Sequence, residues 1–288
     1  MATAREWLGA ARPRTLPAAL APVAVGIGVA ETTADVSAWR AVLCGVVAVS
    51  IQVATNYAND YSDGTRGTDE VRVGPTRLVA AKLATPAAVK RAAFASFALA
   101  ALAGAVVAIS TSPWLLLVGV ACIAAGWFYT GGKHPYGYAG FGELAVFIFF
   151  GLVAVCGTAY VTSRHLPALA VLAAVPIGLI AVALLVVNNL RDIPTDRVTG
   201  KHTLAVRLGE GRTRALYIAC IGGAFALVPV LAAFRPAALI ALAAVVLAAV
   251  PVRVVARRAR GRELIRVLVM TGSLQLLFGT LLAIGLAA

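Results

Sequence analysis

The run Asn56-Tyr57-Ala58-Asn59-Asp60-Tyr61-Ser62-Asp63, continuing to Asp69, puts amide and carboxylate oxygens at the end of an apolar stretch from about Ala41 to Ala54. A second run, Asn188-Asn189-Leu190-Arg191-Asp192-Ile193-Pro194-Thr195-Asp196, closes another apolar stretch in the same way. Both read Asn-x-x-x-Asp with a further Asp three or four residues on. In a helix those offsets stack side chains along one face. Acidic faces at the ends of apolar helices are costly to build, so they point to chemistry.

Carboxylates gathered without a cation would repel one another and partly protonate. Hard oxygen ligands suit Mg²⁺, which is commonly held by one or two carboxylates together with substrate phosphates. Around the aspartates lie Arg66, Arg72, Arg77, Lys82, Arg191, Arg197 and Lys201. Acids for a metal and bases for phosphate oxygens are what a metal-bridged diphosphate requires. The competing reading, in which each Asp only pairs with these bases in a loop, suits a lone Asp better than two matched motifs.

The elements that carry these runs must be membrane helices. The chain is 61% hydrophobic and 13% charged over 288 residues, against roughly 25% charged in soluble domains. Nine segments have about the length needed to cross a bilayer: Thr15–Ala30, Ala38–Tyr57, Ala88–Ser110, Pro113–Tyr129, Gly142–Thr162, Pro167–Leu190, Arg214–Phe234, Pro236–Ala256 and Leu264–Gly285. The expected fold is all-α and integral to the membrane, a nine-helix bundle with no linker or soluble domain, so residues 1–288 read as one unit.

The net charge of +13 is distributed by topology and does not mark a nucleic-acid surface. Of 25 Lys and Arg residues, all but Arg40, Arg164 and Arg235 fall on one side of the nine spans. By the positive-inside rule that side is cytoplasmic, with the N-terminus inside and the C-terminus outside. The acidic motifs share the cytoplasmic side, which makes it the functional face. Arg253 through Arg266 reads as a loop that sets orientation and meets lipid headgroups. Cys44, Cys122, Cys156 and Cys220 lie in apolar segments without metal spacing and read as small packing residues.

The two aspartate runs resemble the signatures of the UbiA superfamily of intramembrane prenyltransferases, the second extending through Gly200-Lys201-His202-Thr203-Leu204. The closest likeness is to its menaquinone-pathway branch, the 1,4-dihydroxy-2-naphthoate prenyltransferases. Arg12-Pro13-Arg14-Thr15-Leu16, Gly74-Pro75-Thr76-Arg77-Leu78-Val79, Tyr129-Thr130-Gly131-Gly132 and Gly140-Phe141-Gly142-Glu143 add to it, so the likeness covers essentially the whole chain. It implies a central cavity open to the cytoplasmic side and to lipid. It also implies that Asn59, Asp60, Asp63, Asp192 and Asp196 hold Mg²⁺ and a polyprenyl diphosphate, with Lys201 on phosphate. The wider superfamily has an Asp four residues beyond position 63, where this chain has Gly67; Asp69 is expected to replace it among the catalytic aspartates.

The reaction implied is transfer of the prenyl group to 1,4-dihydroxy-2-naphthoate with loss of its carboxylate, giving demethylmenaquinone. The alternative is the same chemistry on another acceptor such as 4-hydroxybenzoate. A transporter would place ionisable groups near the midplane on broken helices, and these span centres hold hardly any charge.

Other residues are candidates for the substrate. Arg77 and Glu143 could address the acceptor's carboxylate and hydroxyls, although Glu143 near a helix start also suits a cap. Tyr129, Phe128, Tyr136, Phe147 and Phe149 could steady a cation or simply pack. The turn from Tyr129 through Lys133 could cradle an anion or be an ordinary glycine turn. Asn56 and Asn188 could orient or supply metal ligands or make interhelical hydrogen bonds. Arg66 and Arg191 sit beside the motifs as further phosphate-binding candidates.

Overall fold

The computed structural model describes residues 2–33, 35–68 and 76–288, and every regular element among them is helical. Asp69, with Glu70, Arg72, Gly74 and Pro75, lies outside the described residues. The chain opens with α1 (Ala4–Ala10), whose start is fixed by a capping box in which Thr3 and Glu6 satisfy each other's backbone N–H. Arg12 then adopts a left-handed backbone, φ 55°. A single 3₁₀ turn, Pro13–Thr15, follows, and α2 (Pro17–Ala30) leaves it at 48°.

Helix α3 (Ala38–Thr65) has 28 residues, about 42 Å at 1.5 Å per residue. A hydrocarbon core is only about 30 Å thick, so α3 is longer than a perpendicular crossing needs, and its last turns carry Asn56 through Asp63. Pro86 at the first position and the Thr85 side chain start α4 (Pro86–Thr111). Next come α5 (Leu115–Phe128), α6 (Gly142–Val146), one π segment (Phe147–Val153) and α7 (Ala154–Ser163). The last three form one rod of 22 residues.

Helix α8 (Ala168–Val198) is the centre of the molecule. It is apolar nearly all round, as a fully surrounded helix should be, and Ile177, Ile180, Val186 and Val187 are completely buried. It packs against α2, the π segment, α9 (Leu204–Ala226) and α12 (Arg262–Ala287), with Tyr217, Leu274, Phe278 and Leu282 filling the spaces between them. Short α10 (Val228–Ala232), a 3₁₀ stretch (Pro236–Ala244) and α11 (Val245–Ala256) complete that side. A smaller cluster joins α3 to α4 through Ala54, Ala58, Ala93 and Phe97. At the end remote from the aspartates, Arg40 and Arg164 both donate to the Ser110 carbonyl and so satisfy the end of α4.

Among the described residues seven helices are long and apolar enough to cross a membrane, and the bent pair α1–α2 makes an eighth. The span expected over Pro113–Tyr129, the fourth in order, contains a helix of only 14 residues. By length alone it falls short of the roughly 20 residues a span needs. This is a multi-span membrane protein, of seven or eight spans by that criterion.

Candidate active site

A cavity of about 480 Å³ runs beside α3 from Cys44 to Asp63, within the size range of small-molecule sites. Its two ends differ in chemistry. One end is lined by Asn59, Asp63, Arg77, Asn188, Asp192, Asp196 and Lys201, the other by apolar groups such as Val47, Ile51, Ala101, Gly104 and Val118. The polar end is built by the C-terminal turns of α3 and α8 and by the segment after each.

The two aspartate motifs meet there. Gly200 takes φ 73°, a left-handed turn that glycine enters without penalty, and this returns the chain past α8. The Lys201 N–H then donates to the Asp196 carbonyl at 2.9 Å, while its ammonium donates to Asp63 Oδ1 at 2.9 Å. Asp63 also faces Arg77, 3.4 Å away, and accepts from the Tyr138 hydroxyl. In the second motif Arg191 grips Asp192 with two nitrogens, each at 2.7 Å, and reaches Asn188 Oδ1 at 2.9 Å. All of these groups except Tyr138 and Asn188, which are half-buried, are buried. Such pairs persist away from water only because each charge is answered in place.

Other expected residues fall on and off the cavity. Asn59, Tyr129, Tyr136 and Phe149 line it, whereas Phe128, Phe147, Lys133, Glu143, Arg66 and Arg191 do not. Lys133 is exposed. Arg66 donates to the carbonyls of Thr130 and Gly132, so that turn presents its oxygens to a cation. Glu143 accepts from Asn189 at 2.9 Å and is buried beside the wall. Asn56 touches the cavity but spends its amide on Ala11 O and Thr15 Oγ1.

Asp60 departs most from expectation. It does not line the cavity, and its two oxygens accept the N–H groups of Leu78 at 2.8 Å and Val79 at 3.0 Å.

Sequence reasoning passed over Tyr138 and, though it quoted Thr130, Asn189 and Arg12 within motifs, gave none of them a role of its own. Thr130 donates to Asn59 Oδ1 at 2.7 Å, and Arg12 lines the cavity. The signals available were slight: a hydroxyl beside the glycine turn, a second Asn beside Asn188, and an Arg before Pro13. Tyr138 carried none. Its phenol is pushed well above the ordinary range, first by burial and then by the Asp63 charge, so it stays protonated and keeps its hydrogen bond to Asp63.

The donor set fits Mg²⁺ in kind. Asn59, Asn188, Asp63, Asp192 and Asp196 offer hard oxygens to one cavity. Among the described residues, no three acidic or other ligating side chains are gathered into a cage of their own. An ion held by such a set would take its remaining ligands from phosphate oxygens and water.

The profile of the UbiA prenyltransferase family matches residues 19–286. The chain is 50% identical to a Mycobacterium tuberculosis protein named 1,4-dihydroxy-2-naphthoate octaprenyltransferase, covering 100% of this chain and 98% of the relative. It is 40% identical to an Escherichia coli protein of the same name, over 75% and 72% of the two chains. Two solved structures share the fold. A UbiA homologue from Aeropyrum pernix aligns at TM-score 0.74 and 18% identity, over 95% of this chain and 98% of the other. One from Archaeoglobus fulgidus, bound to GPP and Mg²⁺, aligns at TM-score 0.69 and 14% identity, over 96% and 99%. A profile spanning nearly the whole sequence, and a full-length relative sharing half its residues, show that the chain belongs to the UbiA prenyltransferase family.

Proposed function

We propose that this protein transfers a polyprenyl group from polyprenyl diphosphate to 1,4-dihydroxy-2-naphthoate with decarboxylation, a step of menaquinone biosynthesis. Residues 1–288 act as one catalytic unit in the cytoplasmic membrane, with the N-terminus and active site cytoplasmic and the C-terminus outside. The names of the full-length relatives support the acceptor. The observation that carries the reaction is the meeting of both aspartate motifs, through Lys201, at the polar end of an apolar slot.

Asn59, Asp63, Asp192 and Asp196 would hold Mg²⁺, which when bound supplies charge neutralisation on the diphosphate. Lys201 and Arg77 bind diphosphate oxygens as the allylic C–O bond breaks, and they hold the leaving group more strongly as its charge grows. The apolar walls keep water from the allylic cation, and Tyr129 and Tyr136 line the same space, where aromatic rings can steady a cation. The acceptor ring forms the new C–C bond at the carbon bearing its carboxylate. CO₂ then leaves with the C–C electron pair returned to the ring, and the product is the quinol of demethylmenaquinone. Tyr138 and Lys201 hold Asp63 in its charged form throughout.

Purified protein in lipid nanodiscs, given polyprenyl diphosphate and Mg²⁺, should prenylate dihydroxynaphthoate in preference to 4-hydroxybenzoate. The opposite preference would keep the fold and reaction class and overturn the acceptor. Cysteine accessibility from each side of the membrane tests the orientation; a Lys201→Cys thiol labelled only from outside would reverse it.

A further inference from the structure

The first motif contains two Asn-x-x-x-Asp pairs offset by three residues, Asn56/Asp60 and Asn59/Asp63. At 100° per residue the pairs sit on adjacent faces of α3. The second pair lines the cavity at the substrate end. The first has spent its polar atoms on neighbouring chain segments. Asp60, 1% exposed, accepts both Leu78 N–H and Val79 N–H. These begin a turn closed by Ala81 N–H on the Arg77 carbonyl, so Asp60 caps that turn from another helix, as an N-cap carboxylate would. One turn further along the same face is Gly64, where a Cβ would lie 2.5 Å from Val79 Cβ. Only glycine lets the segment seat this closely. The residue before the capped pair is Arg77, whose guanidinium meets Asp63 at the cavity.

Asn56 does the same for the N-terminal segment. Its amide donates to Ala11 O at 2.9 Å and Thr15 Oγ1 at 3.1 Å, and Gln52 donates to Thr15 Oγ1 at 3.0 Å. Between those anchors Arg12 holds its left-handed backbone and lines the cavity. Each member of the pair therefore fastens a segment that delivers one arginine to the substrate space.

We infer that Asp60 is a positioning residue and not a metal ligand, acting through the Leu78–Val79 amides to set Arg77 against the anionic substrate, with Asn56 setting Arg12 in parallel. The inference rests on the transferase reading only for what the arginines grip.

The test compares Asp60→Asn with Asp63→Asn in nanodiscs. In D60N, hydrogen exchange in the 76–84 peptide should rise about tenfold or more, the expected loss for a hydrogen bond to a charged acceptor, while α8 peptides stay protected. Mn²⁺ binding in the presence of pyrophosphate, read by the EPR signal of free ion, should be unchanged in D60N and lost in D63N. In turnover, D60N should raise a substrate KM about tenfold with a smaller change in kcat. The double variant with Arg77→Lys should be no worse than the poorer single one, because the two act in series. If D60N does not accumulate, Gly64→Ala leaves every carboxylate in place and should give the same exchange and KM changes. Loss of Mn²⁺ binding in D60N, or protected 78–79 amides, would overturn the assignment. Wild-type protein that binds Mn²⁺ but transfers nothing would sink the transferase reading alone, since the exchange and metal arms still decide this one.

Discussion

The ammonium of Lys201 lies 2.9 Å from Asp63 Oδ1, a contact between residues 138 positions apart in sequence. Both groups are close to fully buried. Removing one partner of a buried pair costs up to about 3–5 kcal/mol, and less where, as for Asp63, Arg77 and Tyr138 still answer the remaining charge. Asp63→Asn should therefore lower the melting temperature and abolish transfer. Lys201→Met should also lower the melting temperature and raise the KM for prenyl diphosphate. The double variant should recover much of the stability and none of the activity, as thermal unfolding in detergent and a turnover assay will read. Equal stability of the single and double variants would mean that the pair is not coupled.

Arg191 does not touch the cavity, yet it holds Asp192 by a two-nitrogen fork and ties Asn188 to the same guanidinium. Lysine keeps the charge and loses the fork. Arg191→Lys should leave the fold intact and shift the midpoint of Mg²⁺ activation upward by about tenfold, the value of one charge-assisted hydrogen bond. An unshifted Mg²⁺ titration would show that Asp192 keeps its orientation without the fork.

Tyr138 gives a pH signature. Its hydroxyl donates to Asp63, and burial followed by that charge raises its pKa above the usual value near 10. Tyr136 is pushed up to about 12 by burial. Below pH 10 folded and unfolded chains both keep these protons, so their contribution to stability is fully present. As pH rises past 10 the unfolded chain loses protons that the folded chain retains, and stability falls. Thermal unfolding from pH 8 to 11 should show that decline, less steeply in Tyr138→Phe. The same variant should lose about tenfold in turnover at every pH below 10, since Asp63 loses a donor. An activity loss confined to alkaline pH would mean that the phenol ionises in the working enzyme.

The architecture was legible where periodicity and composition dominate. Apolar runs located α4 and α12 to within two residues at each end, because bilayer thickness forces a minimum length, whereas α3 and α8 stay helical for eight residues beyond the expected Tyr57 and Leu190 and carry the aspartate motifs there. The 113–129 stretch has the same composition, but Ser112 and Pro113 precede its helix and the glycine turn follows Tyr129, leaving α5 only 14 residues. The meeting of both motifs at one cavity was also legible, since paired oxygen donors beside bases have one economical use. The division of labour inside the first motif was not. Asp60 and Asp63 are the same residue type three positions apart, and only the seating of Leu78 and Val79 on α3 decides which faces the substrate. Tyr138 escaped notice because its role depends on a turn between α5 and α6 whose path no local pattern specifies.

The apolar end of the slot makes the last prediction. Gly104 of α4 lines it, and a Cβ there would meet only Val47 Cγ2 at 3.9 Å. A larger side chain would therefore project into the cavity without displacing backbone. Gly104→Leu should fold normally, since helix propensity favours Leu over Gly by several tenths of a kcal/mol, and it should shorten the space left for the prenyl tail. A long polyprenyl diphosphate must then give up buried apolar area worth about 25 cal/mol per Å², and its kcat/KM should fall at least about tenfold. Geranyl diphosphate, which needs only the polar end and the first turns of the slot, should be used as well as by the unmodified protein. An unchanged kcat/KM for the long donor would place the tail elsewhere and not along α3 and α4.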